Sequence, residues 1–124
     1  MKVGDYVRIK NTAGYCYIGE LININEFREP SMKYCIDIQA DDFIFVSEDM
    51  ITKFGEIIDV IEKGDYVNGY KVSFKDKDIE PFVQCDYTVQ NGTTKHYRFS
   101  EKAIHSIITH EQMDAMEFKI WNVT

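Results

Sequence analysis

The chain contains 124 residues, with 21 acidic side chains against 14 lysines and arginines, which gives a formal net charge of −7. This length allows one domain or two very small ones, and no apolar run approaches the ~20 residues of a membrane-spanning helix. The first residues lack the apolar segment of a secretory signal peptide, and three cysteines without Cys-x-x-Cys spacing favour buried free thiols in a reducing compartment.

Short alternating segments in the first half of the chain predict β-strands. Apolar and polar residues alternate with the period of a half-buried strand, and the strands are predicted at 3–10, 15–24, 33–38 and 43–46. Gly19 interrupts the second of these and predicts a bulge there. Ser47 is typical of a helix cap and predicts a short helical turn. For residues 56–61 the periodicity fits a strand as well as a short helix.

The second half shows the same kind of pattern with clearer turn signals. Strands are predicted at 70–74, 82–90, 94–99 and 118–121. Asn68–Gly69 marks a tight turn, and Asn91–Gly92 predicts a two-residue hairpin turn in which both central residues have positive φ. Ser100 should cap a second helical turn. The segment Thr109–Gln112 has the pattern of a capping box, which predicts a short C-terminal helix.

Three short segments recur in the same order in the two halves of the chain. The recurring pairs are Gly4–Val7 with Gly64–Val67, Cys35–Asp37 with Cys85–Asp86, and Ser47–Ile51 with Ser100–Ile104. An ordered recurrence at separations of 60, 50 and 53 residues indicates one ancestral unit, roughly 60 residues long, that is present twice. Chance, together with the preference of strand starts for Gly-Asp, is the alternative explanation.

The strands, hairpins and helical turns together favour a mainly β fold made of two tandem SH3-like small β-barrels. The first unit is predicted at 1–61 and the second at 62–124, with short helical turns and a short C-terminal helix. A lone barrel of ~60 residues buries too little surface to be more than marginally stable. Because no Pro-rich or Ser/Gly-rich linker separates the halves, we expect them to pack together as one compact body.

The negative charge is concentrated in the first half of the chain. Residues 1–62 carry 12 acidic and 6 basic side chains, and residues 63–124 carry 9 and 8. The strongest excess lies within 37–62, where the candidate partner-binding residues are Asp37, Asp41, Asp42, Glu48 and Asp49. Such a face repels phosphate backbones and attracts a basic protein surface, so we expect no direct binding of nucleic acid. A solvated acidic face that only keeps the chain in solution is the alternative.

The sequence contains no residue pattern typical of a catalytic or metal site. His105 and His110 are five residues apart, a spacing that places them on different helical faces and fits no common ligand set, even with Glu101 or Glu111. The three cysteines lie within predicted strands, where a thiol is usually a small core residue. We therefore expect no enzymatic activity, no metal and no cofactor.

The chain is rich in aromatic residues, with eight tyrosines, eight phenylalanines and one tryptophan. SH3-like barrels bind ligands through exposed aromatic side chains on loops, and the candidates here are Tyr15, Tyr17, Phe27, Phe82 and Tyr97. The competing explanation is that these rings fill the barrel interiors. A pocket for a nucleotide would need a cation beside an aromatic platform, and its candidate residues are Phe82, Arg28 and Arg98.

Parts of the sequence resemble small proteins encoded by phages and prophages of Gram-positive, clostridial-type bacteria. The stretches that carry the resemblance are Lys2–Arg8, Ile57–Val72 and Ser106–Met113. They lie at both ends and in the middle of the chain and contain no catalytic motif. The resemblance implies a phage protein that acts in the cytoplasm of a host bacterium, where small acidic phage proteins are often counter-defence factors.

These observations together predict a non-enzymatic binding protein. In the favoured form it is a counter-defence factor, either an anti-CRISPR-type inhibitor that occludes a basic surface of a host protein or a sponge that sequesters a signalling nucleotide. The alternative is a structural, assembly or replication accessory protein of the phage. No membrane partner is expected, and self-association into a homo-oligomer is left open.

Overall fold

The computed structural model describes residues 1–39 and 42–115. The chain divides into two compact units, Met1–Val60 (unit 1) and Ile61–Thr124 (unit 2). Each unit contains a five-stranded antiparallel sheet, and the predicted mainly β class is therefore confirmed. Within the described residues no helix has the length and apolar character needed to cross a bilayer.

Unit 1 is a meander of four strands followed by a fifth strand that returns to the first. Its strands are β1 (Tyr6–Lys10), β2 (Cys16–Ile24), β3 (Tyr34–Gln39), β4 (Asp42–Val46) and β5 (Ile51–Gly55), in the order β4-β3-β2-β1-β5. A 3₁₀ helix, Glu48–Met50, leads from β4 to β5, and another, Pro30–Met32, precedes β3. Helix α1 (Ile57–Val60) follows β5, so the ambiguous segment 56–61 is partly helical.

Unit 2 repeats this plan with a shorter first and last strand. Its strands are β6 (Tyr66–Val67), β7 (Tyr70–Asp76), β8 (Phe82–Thr88), β9 (Thr94–Ser100) and β10 (Ile107–Ile108), in the order β10-β6-β7-β8-β9. A 3₁₀ helix, Glu101–Ala103, leads from β9 to β10. Residues 110–115 are helical (α2). The predicted strand at 118–121 lies outside the described residues.

The two sheets have the same strand order when each is read from its edge strand, β4 or β9. The turn before the first strand also makes the same backbone bond in both units. Gly4 N donates to Leu21 O at 2.8 Å, and Gly64 N donates to Val72 O at 2.9 Å. These bonds make Leu21 and Val72 equivalent positions. The residues that pair with Leu21 and Val72 on the neighbouring strands are then equivalent as well.

The strand pairing shifts one of the recurring sequence pairs by one residue. Leu21 lies opposite Ile36, and Val72 lies opposite Cys85. Cys85 therefore corresponds to Ile36, and the predicted equivalence of Cys35 with Cys85 is wrong. A shared cysteine could not reveal the shift, because the register of a strand is set by bulges and turn lengths and by which residues face the core.

Asn68–Gly69 forms the two-residue hairpin turn of unit 2. Val67 pairs with Tyr70, so only these two residues connect β6 to β7. Their φ angles are 53° and 86°. Positive φ at both positions is the signature of a type I′ turn, and Asn followed by Gly is its preferred sequence.

The predicted two-residue turn at Asn91–Gly92 is wrong. Val89 N donates to Thr93 O at 3.0 Å, so the loop contains the three residues between them. Of the two predicted positions only Gly92 has positive φ, at 84°. A three-residue hairpin needs a single left-handed residue at its end, and that is the position Gly92 fills.

Gly19 is needed for close approach of two strands. The bulge of β2 lies between Leu21 and Asn23, so the prediction of a bulge at Gly19 is wrong. A Cβ atom on Gly19 would lie 2.7 Å from Cγ2 of Ile36 and would overlap the carbonyl oxygen of Asp37. Any larger residue would therefore push β3 away from β2.

The predicted helix caps have different outcomes. Ser47 and Ser100 precede the two equivalent 3₁₀ helices, but neither side chain makes a cap hydrogen bond. The Ser47 hydroxyl donates to the carboxylate of Asp49 instead. The capping box is confirmed, because Thr109 N donates to Oε1 of Gln112 at 3.0 Å and Gln112 N donates to Oγ1 of Thr109 at 3.1 Å.

Each unit has buried apolar residues on its own sheet. In unit 1 the cluster consists of Val7, Ile9, Leu21, Tyr34, Ile36 and Val46. In unit 2 the buried apolar positions include Val67, Val72, Val83 and Cys85. Because the central strands of each sheet use one set of positions for the core, the exposed positions of the sheet are free to differ between the units.

Candidate functional site

Two phenylalanine side chains project from β4, an edge strand of unit 1. Phe43 is 52% exposed and Phe45 is 44% exposed, and a spacing of two residues places both on one face of the strand. The guanidinium of Arg28 lies 4.8 Å from the centre of the Phe45 ring, in a cation–π contact. Large apolar side chains exposed on a sheet edge are typical of a surface that contacts another protein.

Two carboxylates face each other beside Phe43. Glu20 on β2 is directly opposite Asp37 on β3, and Asp37 is opposite Phe43 on β4. Like charges in directly opposite positions repel each other. Oδ1 of Asp37 is enclosed and has no hydrogen-bond partner within the described residues, whereas Glu20 is exposed. This row therefore carries negative charge that no base in the row offsets.

The equivalent row of unit 2 is balanced. Asp86 corresponds to Asp37 and lies between Lys71 and His96. Nδ1 of His96 and Oδ1 of Asp86 are hydrogen-bonded at 2.6 Å. This bond is the main reason why the pKa of Asp86 lies below its ordinary value. The same fold thus holds a compensated carboxylate in unit 2 and an uncompensated one in unit 1.

The sign of charge also reverses at two further equivalent positions. These are Asp42 and Lys95, each directly before the residue that lies opposite Asp37 or Asp86, and Asp49 and Lys102, which lie at the centre of the equivalent 3₁₀ helices. The uncompensated surface of unit 1 is called the acidic edge below. It comprises Glu20, Asp37, Asp42, Phe43, Phe45, Glu48 and Asp49.

The predicted partner-binding residues occupy this edge to different degrees. Asp42, Glu48 and Asp49 are exposed, Asp37 is half-buried, and Asp41 lies outside the described residues. Glu20 was missed by the sequence analysis. The separation of 60 residues between the two opening turns places Glu20 level with Glu80, another acidic residue, so the sequence offered no signal for it. Only the strand pairing makes Glu20 equivalent to Lys71.

A groove adjoins the acidic edge. It has a volume of about 630 Å³ and is lined by Glu26, Arg28, Pro30, Lys33, Ser47, Glu48 and Asp49. Nζ of Lys33 lies 3.8 Å from Oε1 of Glu26, so part of the lining is already paired. The groove extends the surface that a partner could contact beyond β4 itself.

The structure brings together two of the three residues predicted for a nucleotide pocket. The guanidinium of Arg98 lies 4.7 Å from the centre of the Phe82 ring, and Nε of Arg98 donates to Oε1 of Gln84 at 3.1 Å. Arg28 belongs to unit 1, where it stacks on Phe45. The groove beside Phe82 and Arg98 is about 530 Å³ and is also lined by Asp76, Asp78, Ile79, Glu80, Pro81 and Ser100. Its carboxylates would repel a phosphate group.

The remaining aromatic candidates are divided between surface and interior. Phe27 is fully exposed and Tyr15 is 41% exposed. Tyr17 packs against the core cluster of unit 1. Tyr97 is half-buried, with its ring centre 4.8 Å from that of Tyr70. The explanation that the rings fill the interior therefore applies to Tyr17 and not to Phe27.

All three cysteines are buried. Burial raises the pKa of the Cys85 thiol to about 11 and also raises that of Cys35. A thiol nucleophile must be ionised to react. These two thiols are therefore protonated near neutral pH and have the surroundings of core residues.

One group of histidine and carboxylate side chains within the described residues is compact enough to surround a single metal ion. It consists of Glu62, His110 and Glu111. His110 and Glu111 were candidate ligands from the sequence alone, whereas Glu62 was not. No spacing rule could have found this residue, because the fold brings it to the helix start from a distant part of the chain.

Comparison with protein-family models, with curated proteins and with solved structures gives no match for this chain. The proposals below therefore rest on the geometry of the two units. Because unit 2 has the same strand order as unit 1, it serves as an internal reference for what the fold itself requires.

Proposed function

We propose that the protein is a non-enzymatic binding module made of two SH3-like units of common ancestry, and that the acidic edge of unit 1 binds a basic surface of another protein. The strand order, with a 3₁₀ helix between the fourth and fifth strands of each unit, supports the SH3-like interpretation. The shared hydrogen bond of the opening turns supports an ancestral duplication.

The uncompensated pair Glu20 and Asp37 beside Phe43 is the observation that carries this proposal. A partner's lysine or arginine placed at this row would supply the positive charge that unit 2 supplies from its own residues. Contact would also remove Phe43 and Phe45 from water. Burial of an apolar side chain of this size contributes roughly 1.5–3 kcal/mol, while the carboxylates chiefly accelerate association and orient the partner.

The resemblance to phage-encoded proteins leads us to propose a role in counter-defence within the host bacterial cytoplasm. A stoichiometric inhibitor needs no catalytic group and needs only an edge that covers a functional surface of its target. Nucleic-acid-binding host proteins, such as CRISPR effectors, present basic surfaces of the required charge. An assembly or replication accessory protein of the phage would use the same acidic edge against a phage partner and is the alternative.

Sequestration of a nucleotide is the second form of the proposal. The Arg98 guanidinium over the Phe82 ring supports it, because an aromatic platform with a cation can stack a base and pair with a phosphate. The carboxylates of Asp76, Asp78 and Glu80 line the same groove and oppose it. We therefore favour the protein-binding form.

A capture experiment with charge-reversed variants tests the proposal. The test variant is E20K/D42K/D49K, which gives unit 1 the lysines that unit 2 has at the equivalent positions, so the fold should tolerate all three. The control variant, D76K/D78K/E80K, changes the net charge by the same amount on unit 2. Wild type and both variants are immobilised, exposed to host lysate at rising salt, and the captured proteins are quantified.

We expect wild type and the control to capture the same basic protein, and the test variant to lose it. Capture by wild type should weaken as salt rises, because charges are screened over about 10 Å at 0.1 M ionic strength. Equal loss in both variants, or loss in neither, would contradict binding at the acidic edge. Release of a nucleotide from wild type on denaturation, without a captured protein, would favour sequestration. If wild type captures no host protein and releases no nucleotide, the assembly role would be favoured.

A further inference from the structure

Glu62, His110 and Glu111 bring three ligand atoms together at one place in unit 2. Nε2 of His110 lies 3.6 Å from Oε1 of Glu62 and is in direct contact with Oε1 of Glu111. All three ligand atoms lie within 4.8 Å of one another. Around a tetrahedral ion with bonds of about 2.0–2.2 Å, ligand atoms are about 3.3–3.6 Å apart. Small rotations of these side chains would therefore enclose one ion.

Asp65 holds the backbone beneath this cluster. Its side chain is fully buried, and its two oxygens accept from different backbone amides: Glu62 N at 2.8 Å and His110 N at 2.9 Å. The capping box fixes the start of α2 in addition. The backbone of the ligand residues is thus held in place by other groups. Less conformational entropy is therefore lost when an ion binds.

Unit 1 contains the same opening turn without the ligands. Oδ2 of Asp5 accepts from Lys2 N at 3.0 Å, as Asp65 accepts from Glu62 N. The positions equivalent to Glu62, His110 and Glu111, read from the opening turns and from the pairing of β5 and β10, are Lys2, Ile57 and Ile58. Formation of the turn therefore does not require this histidine and these glutamates, and the cluster is a property of unit 2 alone.

We propose that Glu62, His110 and Glu111 bind one Zn²⁺ ion, with water completing its coordination. An imidazole nitrogen with two carboxylate oxygens is a donor set that suits Zn²⁺. The imidazole disfavours Mg²⁺ and Ca²⁺, which take oxygen ligands. The bound ion replaces the direct contact between His110 and Glu111 and ties the chain before β6 to the start of α2. This site is independent of the acidic edge, which lies in unit 1.

Calorimetric titration of the metal-free full-length protein with Zn²⁺ tests this proposal. Wild type should bind one ion per chain, and its Tm should rise with Zn²⁺. His110→Ala should weaken binding at least about tenfold and abolish the rise in Tm. His96→Ala is the matched control, because His96 also contacts a carboxylate, Asp86, but belongs to no three-ligand group within the described residues. It should bind Zn²⁺ like wild type.

Glu62→Gln separates metal binding from folding. The substitution keeps the backbone amide that donates to Asp65 and removes the anionic ligand, so the metal-free protein should still fold cooperatively while the zinc affinity falls. Binding should also weaken at acidic pH, because protons compete with the metal for the imidazole. No saturable binding by wild type, undiminished binding by His110→Ala, or an equal loss in His96→Ala would overturn the proposal.

Discussion

Asp37 and Asp86 occupy equivalent positions in the two units and have opposite surroundings. Asp86 lies between a lysine and His96, with which it is hydrogen-bonded. Asp37 lies opposite Glu20, and its Oδ1 has no partner within the described residues. The same strand pairing therefore surrounds the aspartate with compensating side chains in unit 2 and leaves its charge uncompensated in unit 1. This difference is the basis of our proposal that unit 1 carries the partner-binding surface.

The opening turns show the opposite behaviour, because their bonds are kept while their side chains change. Asp5 and Asp65 both accept from the backbone amide three residues before them, whether that residue is Lys2 or Glu62. Bonds that close a turn are needed by every copy of the fold, whereas exposed side chains are not. The following substitutions test this division between shared scaffold and variable surface.

The largest effect should come from Asp65→Ala. Asp65 is fully buried and accepts from both Glu62 N and His110 N, so its removal leaves two amides unsatisfied. We expect the free energy of unfolding to fall by about 2–4 kcal/mol. Asp5→Ala, at the half-buried equivalent position, should cost about 1 kcal/mol. Urea denaturation followed by circular dichroism measures both, and equal losses would remove the distinction between the two turns.

Asn68→Ala should have the next largest effect. The Asn68 side chain donates to Ala103 O at 2.7 Å and accepts from His105 N and Ser106 N at 2.8 and 3.1 Å. Asn68 also has a positive φ of 53°, which alanine tolerates less well. We therefore expect the free energy of unfolding to fall by about 2–3 kcal/mol.

Two further variants separate the causes of that loss. Asn68→Gly should recover the part caused by positive φ. Asn91→Ala, in the Asn91–Gly92 loop, removes the hydrogen bond that Oδ1 of Asn91 accepts from Thr93 N and should cost about 0.5–1 kcal/mol. If Asn68→Gly were as unstable as Asn68→Ala, backbone conformation would have no part in the effect.

Asp37→Asn should stabilise unit 1 slightly. The substitution removes a charge that faces Glu20 and an enclosed anionic oxygen without a partner. We expect the free energy of unfolding to rise by about 0.5–1 kcal/mol. Asp86→Asn should change stability in the opposite direction, since it weakens the bond to His96. The same urea titrations decide the question, and a destabilised Asp37→Asn would mean that Asp37 is compensated after all.

The smallest effect concerns the pKa of Asp86. In the native protein the bond to His96 holds this pKa below the ordinary value of 3.8. The resulting stability is therefore present above the ordinary pKa and is lost as the pH falls through the lower folded pKa. His96→Phe should raise the pKa of Asp86. Carboxyl chemical shifts followed by NMR measure this pKa, and an unmoved Asp86 would exclude His96 as the cause.

Some local features could be predicted because they depend on residues close together in the chain. The capping box at Thr109–Gln112 is such a case, since both partners lie within one helical turn. Asn68–Gly69 is another, because two residues with positive φ suffice to specify the turn. Asn91–Gly92 has the same two-residue sequence but forms a longer loop. There the pairing of β8 with β9 decides how many residues remain between the strands.

The sequence by itself determined the alternating strands, the turn that opens each half, the excess of negative charge and the recurrence of short segments. Tertiary structure alone decided which residues face one another. It set Glu20 opposite Asp37, Lys71 opposite Asp86, and Glu62 beside His110. The physical reason is that strand register depends on bulges and on core packing summed over the whole sheet, so a side chain's cross-strand neighbour is not encoded by its neighbours in the chain.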